Sequence, residues 1–178
     1  GGFAGKAHID PKKLLTSAAE LENLKKMLQD TGIGISALSC HGNPVHPDKV
    51  KAKAYHEDMC NTVRLAEKLG VDTITCFSGC PGDCEQSKNP NWVTCAWPDD
   101  YLEILRYQWE EVLIPYWKNF VSFARDYGVN KIALELHPGF CAYNVDTLLR
   151  LRDAVGSEIG TNFDPSHLLW QGIDPVMA

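Results

Sequence analysis

An excess of positive charge is the first thing this chain lacks. Seventeen Lys and Arg stand against twenty-three Asp and Glu, a formal net charge of -6, and the basic residues are dispersed rather than gathered on one stretch. Binding to a phosphate backbone needs clustered Lys and Arg, so a nucleic-acid partner is not expected. Also missing is any apolar run near the ~20 residues that cross a bilayer. The opening residues, GGFAGKAHID, do not contain the apolar segment of a secretory signal. No membrane association is expected, and the chain as given reads as soluble and cytoplasmic. A disulfide framework is absent too, because the seven cysteines are an odd number in a chain of 178 residues, large enough to bury an ordinary core without staples. Reduced thiols are expected.

Two stretches carry most of the chemistry, KIALELHPG at 131–139 and GTNFDPSHLLWQG at 160–172. In the first, an apolar run ends at Glu135. His137 follows two residues on, hence on the same side of an alternating strand, and Pro138 and Gly139 stop it. In the second, Asp164 and His167 stand three apart where Pro165 breaks the strand. Both put ionisable groups at the carboxyl end of a strand, which is where the loops of parallel α/β folds build sites. Glu135, His137, Asp164 and His167 are therefore candidates to meet. For Glu135 a purely structural pairing with Lys131 or Arg152 is the competing role, and for Asp164 a helix cap before Pro165.

In chain order, residues 11–30 have leucines at helical spacing, with Asp10 as cap, Pro11 in the first turn and Gly32 as stop. The run 33–39, IGISALS, suits a parallel strand covered on both faces. It leads into CHGNPVHP, where His41, Asn43 and His46 fall on the functional side; His41 is the candidate for contacting substrate. A second helix spans 50–69 and a second strand 71–77. The connection 78–98, about twenty residues, exceeds most loops and so points to function or disorder. Its Trp92 and Trp97 could pack over a sugar or against the loop itself. Cys76, Cys80 and Cys84 match no common cluster spacing, and small apolar residues at a strand end are the expected role. A long helical pattern at 99–127 has Asp99 or Asp100 as cap and a kink at Pro115. The 131–136 strand, a helix capped by Asn144 or Asp146, and the 159–163 strand complete an alternation that defines a parallel α/β fold in one domain, 1–178.

ELHPG and FDPSH, with the interval between them, resemble the xylose isomerase-like TIM barrel superfamily, in its sugar phosphate isomerase/epimerase branch, and the likeness runs over essentially the whole chain. The resemblance implies a (β/α)8 barrel of which this chain holds about strands 2 to 5. It implies one divalent metal ion, Mn²⁺ foremost with Mg²⁺, Co²⁺ or Zn²⁺ as alternatives, held by Glu135 and Asp164 and by two further ligands on strands outside this chain. Glu135 would also be a catalytic base and His167 a substrate contact; His137 has no firm family counterpart, and its role rests on its place at the strand end. The implied activity is metal-dependent isomerisation or epimerisation of a sugar or keto-sugar through an enediolate, with a small sugar as partner and homo-oligomerisation left open. Elimination from a keto-glycoside, apurinic endonuclease-like hydrolysis and a non-catalytic barrel subunit are the alternatives. Four strands would leave two unpaired edges, so the stretch alone is expected to associate.

Overall fold

The computed structural model describes residues 8–178. Asp10 accepts hydrogen bonds from the Lys12 and Lys13 amides and starts α1, Pro11–Thr16; Pro11 fits there because the first turn needs no amide donor. The single helix expected over 11–30 is divided. Ser17 is extended at φ -127°, ψ 97°, and its hydroxyl caps a new helix, α2, Ala18–Thr31. A serine that can serve as a cap competes with the continuing helix, and here it wins.

β1 is only Leu38–Ser39, shorter than the run 33–39 suggests. It lies at the sheet edge and pairs on one side alone, and one of its faces is uncovered, so full coverage of both faces is corrected. Asp48 caps α3, Lys49–Leu69, which ends on Gly70 in the left-handed conformation at φ 69°. β2 is Thr73–Cys76. The 99–127 pattern becomes α4, Asp99–Arg106, then a π-helical stretch, Tyr107–Leu113, then α5, Ile114–Asp126. Asp99 and Asp100 sit in the first turn of α4 rather than at its cap, which is Pro98. Pro115 stands at the start of α5, where its missing N–H interrupts the i to i−4 ladder; the chain answers with the wide turn before it instead of a simple kink. β3 is Lys131–Glu135, and α6, Val145–Val155, begins at a capping box of Asn144 and Thr147. β4, Ile159–Asn162, and the short α7, Pro165–Leu169, follow.

The four strands are parallel in the order β1-β2-β3-β4. Their register aligns Leu38, Ile74, Ile132 and Ile159 across the sheet, and all four are buried under the helices together with Trp117, Phe120 and Leu151. The alternate row, Ser39, Thr75, Ala133 and Gly160, is small and only partly covered. Glu135 lies on that second face because it is two residues beyond Ala133, and Asn162 is its register partner. One face of the sheet is thus core, and the other opens toward the strand ends where the acids stand. Among the described residues no helix is long and apolar enough to cross a membrane.

Candidate metal centre

Glu135 is the hub at the carboxyl end of the sheet. Its Oε1 is 3.0 Å from His167 Nε2, its Oε2 is 2.9 Å from His41 Nε2, and Asn162 Nδ2 donates to Oε2 at 3.4 Å. Neither structural partner open from the sequence takes it: Lys131 pairs with Asp72, and Arg152 donates to the backbone carbonyls of Ser157 and Ile159. The histidine side chains and Glu135 are each less than a fifth exposed, whereas Asp164 is 42% exposed.

Asp164 divides its two oxygens. Oδ1 accepts from the Ser166 amide at 2.9 Å and so starts α7, while Oδ2 is 3.6 Å from His167 Nε2 and turns to the cluster. Hydrogen bonds from Ser166, side chain first and backbone next, hold the Asp164 carboxyl below its usual range and keep it ionised. The cap role and the ligand role are therefore compatible in one side chain. One ligand atom each from Glu135, Asp164 and His167 lie within 4.8 Å of one another. Ligands around one divalent ion sit roughly 2.0–2.2 Å from it, so a small rearrangement of side chains brings these three to a common centre.

His41 supplies the test of fit. Its Nδ1 is 2.8 Å from Ser39 Oγ, but its buried Nε2 has no hydrogen bond of acceptable direction, although Glu135 Oε2 is near enough for an ionic contact. The two atoms are close without a formed hydrogen bond, since distance alone does not satisfy a directional donor. Burial, outweighing the attraction of Glu135, pushes the His41 pKa down and favours the neutral ring. Two carboxylates and the His167 imidazole are a donor set that suits a hard or borderline divalent cation, and the neutral His41 ring beside them sets no positive charge against it.

His137 stands beside the cluster rather than in it. Its Nδ1 donates to its neighbour's carbonyl, Pro138 O, at 2.6 Å, and its ring packs against His167 with centroids 4.3 Å apart. Sequence reasoning missed the wall next to it. Phe77 and Phe140 stack at 4.2 Å with a 16° tilt, and Phe77 also meets His41 at 4.4 Å and His137 at 5.2 Å. A signal existed: Phe77 ends the second predicted strand and Phe140 follows the Gly139 turn, so both had to emerge at the strand ends. The long loop supports this wall from behind. Trp92 donates Nε1 to Phe140 O at 2.9 Å and meets Tyr143 edge-on, whereas Trp97 is 74% exposed.

The remaining candidates lie elsewhere. His46 Nδ1 accepts the Asp48 amide, a local turn contact. Cys76 meets Cys40, Cys80 meets Cys141 and the exposed Cys84 meets Ser87, so the three turn to different partners, and all seven cysteines are free of disulfides. A hydrogen bond with Cys80 and burial raise the Cys141 thiol well above its ordinary range, which makes it unreactive.

A parallel sheet with helices on one face and an acid–imidazole cluster at its carboxyl ends defines a strand-end site of the barrel type, and the chain belongs to the xylose isomerase-like TIM barrel family, whose sequence model matches residues 2–178. An uncharacterized protein of Bacillus subtilis strain 168, YfiH, is 42% identical over 180 residues; the match covers 100% of this chain and 57% of that protein. Of solved structures, the probable 3-DHS dehydratase AsbF of Bacillus anthracis superposes with TM-score 0.62 at 18% identity, over 94% of this chain and 54% of that one. A xylose isomerase domain protein from Planctomyces limnophilus gives TM-score 0.61 at 16% identity, over 95% and 55%. The chain thus spans about half the length of the proteins it matches, and at these identities the structures show the fold alone.

Proposed function

We propose that the protein is a divalent-metal-dependent isomerase or epimerase acting on a small sugar or keto-sugar, with Glu135 as the base that forms an enediolate. The observation that carries this reading is the convergence of Glu135, Asp164 and His167 within 4.8 Å on the open face of the sheet, with the unsatisfied His41 Nε2 beside them. Glu135, Asp164 and His167 would hold the ion; Mn²⁺ fits two carboxylates and an imidazole well. Such an ion supplies Lewis-acid stabilisation of negative charge on adjacent substrate oxygens. Glu135, with His167 bonded at one oxygen and His41 close to the other, is oriented to take the proton from the carbon next to a carbonyl. His137, with Nδ1 committed to Pro138 O, has Nε2 left to accept from a sugar hydroxyl. Part-exposed Phe140, backed by the buried Phe77, offers an apolar face to the C–H side of a sugar and keeps water from the proton being moved.

The test is solvent exchange. The full-length protein, stripped with chelator and reloaded with Mn²⁺, is incubated in D₂O with a panel of ketoses and aldoses and followed by proton NMR. Deuterium is expected at the carbon next to the carbonyl, in a metal-dependent manner, and Glu135→Gln should abolish it. Loss of water from the substrate instead of exchange would move the assignment to elimination, which shares the first proton removal. If the protein neither retains Mn²⁺ nor exchanges any sugar proton, it is a non-catalytic barrel and the proposal fails.

A further inference from the structure

The loop after β1 carries His41 but has little backbone pairing to keep it in place. Regular β1 to β2 pairing ends at Ser39 with Thr75, and the last backbone bond is Cys40 N to Thr75 O at 2.9 Å. Beyond it one side chain continues the sheet. Asn43, 5% exposed, donates Nδ2 to Cys80 O at 2.8 Å and accepts the Cys80 amide on Oδ1 at 3.0 Å. A carboxamide has the donor and acceptor of a peptide unit, so Asn43 meets Cys80 as a neighbouring strand would. The backbone around Cys80 is shaped for this approach. Gly79 is left-handed at φ +89°, and a Cβ there would lie 3.1 Å from Asn43 Oδ1 and 2.5 Å from Val45 Cγ2. The same segment also receives the loop after β3: Cys141 N donates to Gly79 O at 2.9 Å and Ala142 N to Ser78 Oγ at 2.9 Å.

Three strand-end loops are therefore fastened at one buried point behind Phe77, the ring on which His41 packs. Taking the candidate metal centre as the active site, we infer that Asn43 is a positioning residue of that site, which sets His41 against Glu135 and Phe77 by locking the β1 loop to Cys80. Asn43 touches none of the metal-holding side chains, which lie at the end of β3, at the cap of α7 and on α7. Its removal should move His41 and leave Glu135, Asp164 and His167 where they are. The amide is needed in both directions. Asn43→Asp keeps the acceptor and the shape but sets a carboxylate against Cys80 O; Asn43→Ser cannot reach both groups.

The experiment reads the histidine rings directly, independently of any substrate. In long-range ¹H–¹⁵N spectra of the full-length protein, His41 and His167 are assigned from His41→Gln and His167→Gln. Asn43→Asp and Asn43→Ser should each displace the His41 ring signals and leave those of His167 in place, with Mn²⁺ affinity unchanged. Gly79→Ala, which disturbs the same contact from the Cys80 side, should reproduce the His41 displacement. Unmoved His41 signals in the folded variants would overturn the inference. So would equal displacement of His167 or a loss of Mn²⁺ affinity, because Asn43 would then support the whole fold rather than His41. If both Asn43 variants fail to fold, Gly79→Ala decides in the same two ways. Should the wild-type protein bind no Mn²⁺, the functional proposal fails while the response of the His41 signals still tests Asn43.

Discussion

Replacing Gln108 by Leu should open the long loop. Gln108 is 1% exposed, and its Nε2 donates to Asn91 O at 2.7 Å and Gly82 O at 3.1 Å, holding both limbs of the 78–98 connection from the π-helical stretch. Leucine has similar bulk but no donor, so both carbonyls lose their partner while the loop stays closed. A buried group left unsatisfied costs about 1–3 kcal/mol, and the loop escapes that cost by swinging its carbonyls into water. The opening equilibrium should therefore shift by about that amount, roughly 5- to 150-fold in population. Lys88, exposed in the loop, is a trypsin site that reports it. Where reclosing is faster than cleavage, the cutting rate follows the open population, so cleavage after Lys88 should accelerate by that factor. Gln108→Glu should cut at least as fast, because it points a carboxylate at carbonyl oxygens. Unchanged cleavage in both variants, with the global unfolding transition intact, would show that Gln108 does not hold the loop and that the Trp92 to Phe140 support of the aromatic wall has another origin.

Asp164→Asn should keep α7, since Asn is as good a cap as Asp, yet lower Mn²⁺ affinity by at least about 10²-fold in titration calorimetry; unaltered affinity would remove Asp164 from the centre. Trp117→Phe strips the buried Ser78 carbonyl of its 2.9 Å donor and leaves a void, and urea unfolding should show about 1–3 kcal/mol lost. Arg125→Ala removes an ion pair to Glu158 whose arginine is 59% exposed, and the same assay should register less than about 1 kcal/mol. Burial lowers the His56 pKa below its ordinary 6.5, so the folded state binds fewer protons than the unfolded chain. Its contribution is complete above 6.5 and lost as pH falls through the lowered value. His56→Gln should flatten the fall in stability measured between about pH 8 and 5.

What could be read from the sequence and what could not follow the range of the interactions. Strands β2 to β4 announced themselves because buried parallel strands are short apolar runs between amphipathic helices. Glu135 and Asp164 were visible because they interrupt such runs at their ends. The break at Ser17 was not, since a serine within a leucine pattern serves as cap or as surface residue depending on how two helices pack. The π-helical stretch escaped for a similar reason: Pro115 announces a disturbance of the ladder, while its form depends on what Gln108 finds to bond. Asn43 showed only its position after a strand, because its partner Cys80 is 37 residues away in sequence. The position of His41 just after a strand is legible in the chain, but its contact with Glu135 follows from the register of three strands and not from any spacing in the chain.

The wide turn at Tyr107–Leu113 is a change of phase in an otherwise continuous rod. Each α-helical residue turns about 100° around the axis, so one residue accommodated in a wide turn rotates everything before it relative to everything after it. From Leu113 at the end of the turn onward, Leu113, Trp117, Phe120 and Ala124 are all buried in the core. Within it, Gln108 is directed to the loop and Trp109 lies under the Arg150 guanidinium at 4.2 Å. Deleting a single residue between 107 and 113 would restore a regular helix and leave the core stripe of α5 untouched, yet it would swing Gln108 off the loop by about 100°. The grip on the loop beside the aromatic wall thus depends on a one-residue surplus in a helix outside the acid–imidazole cluster, so a change in chain length there could retune the mouth with no substitution in it.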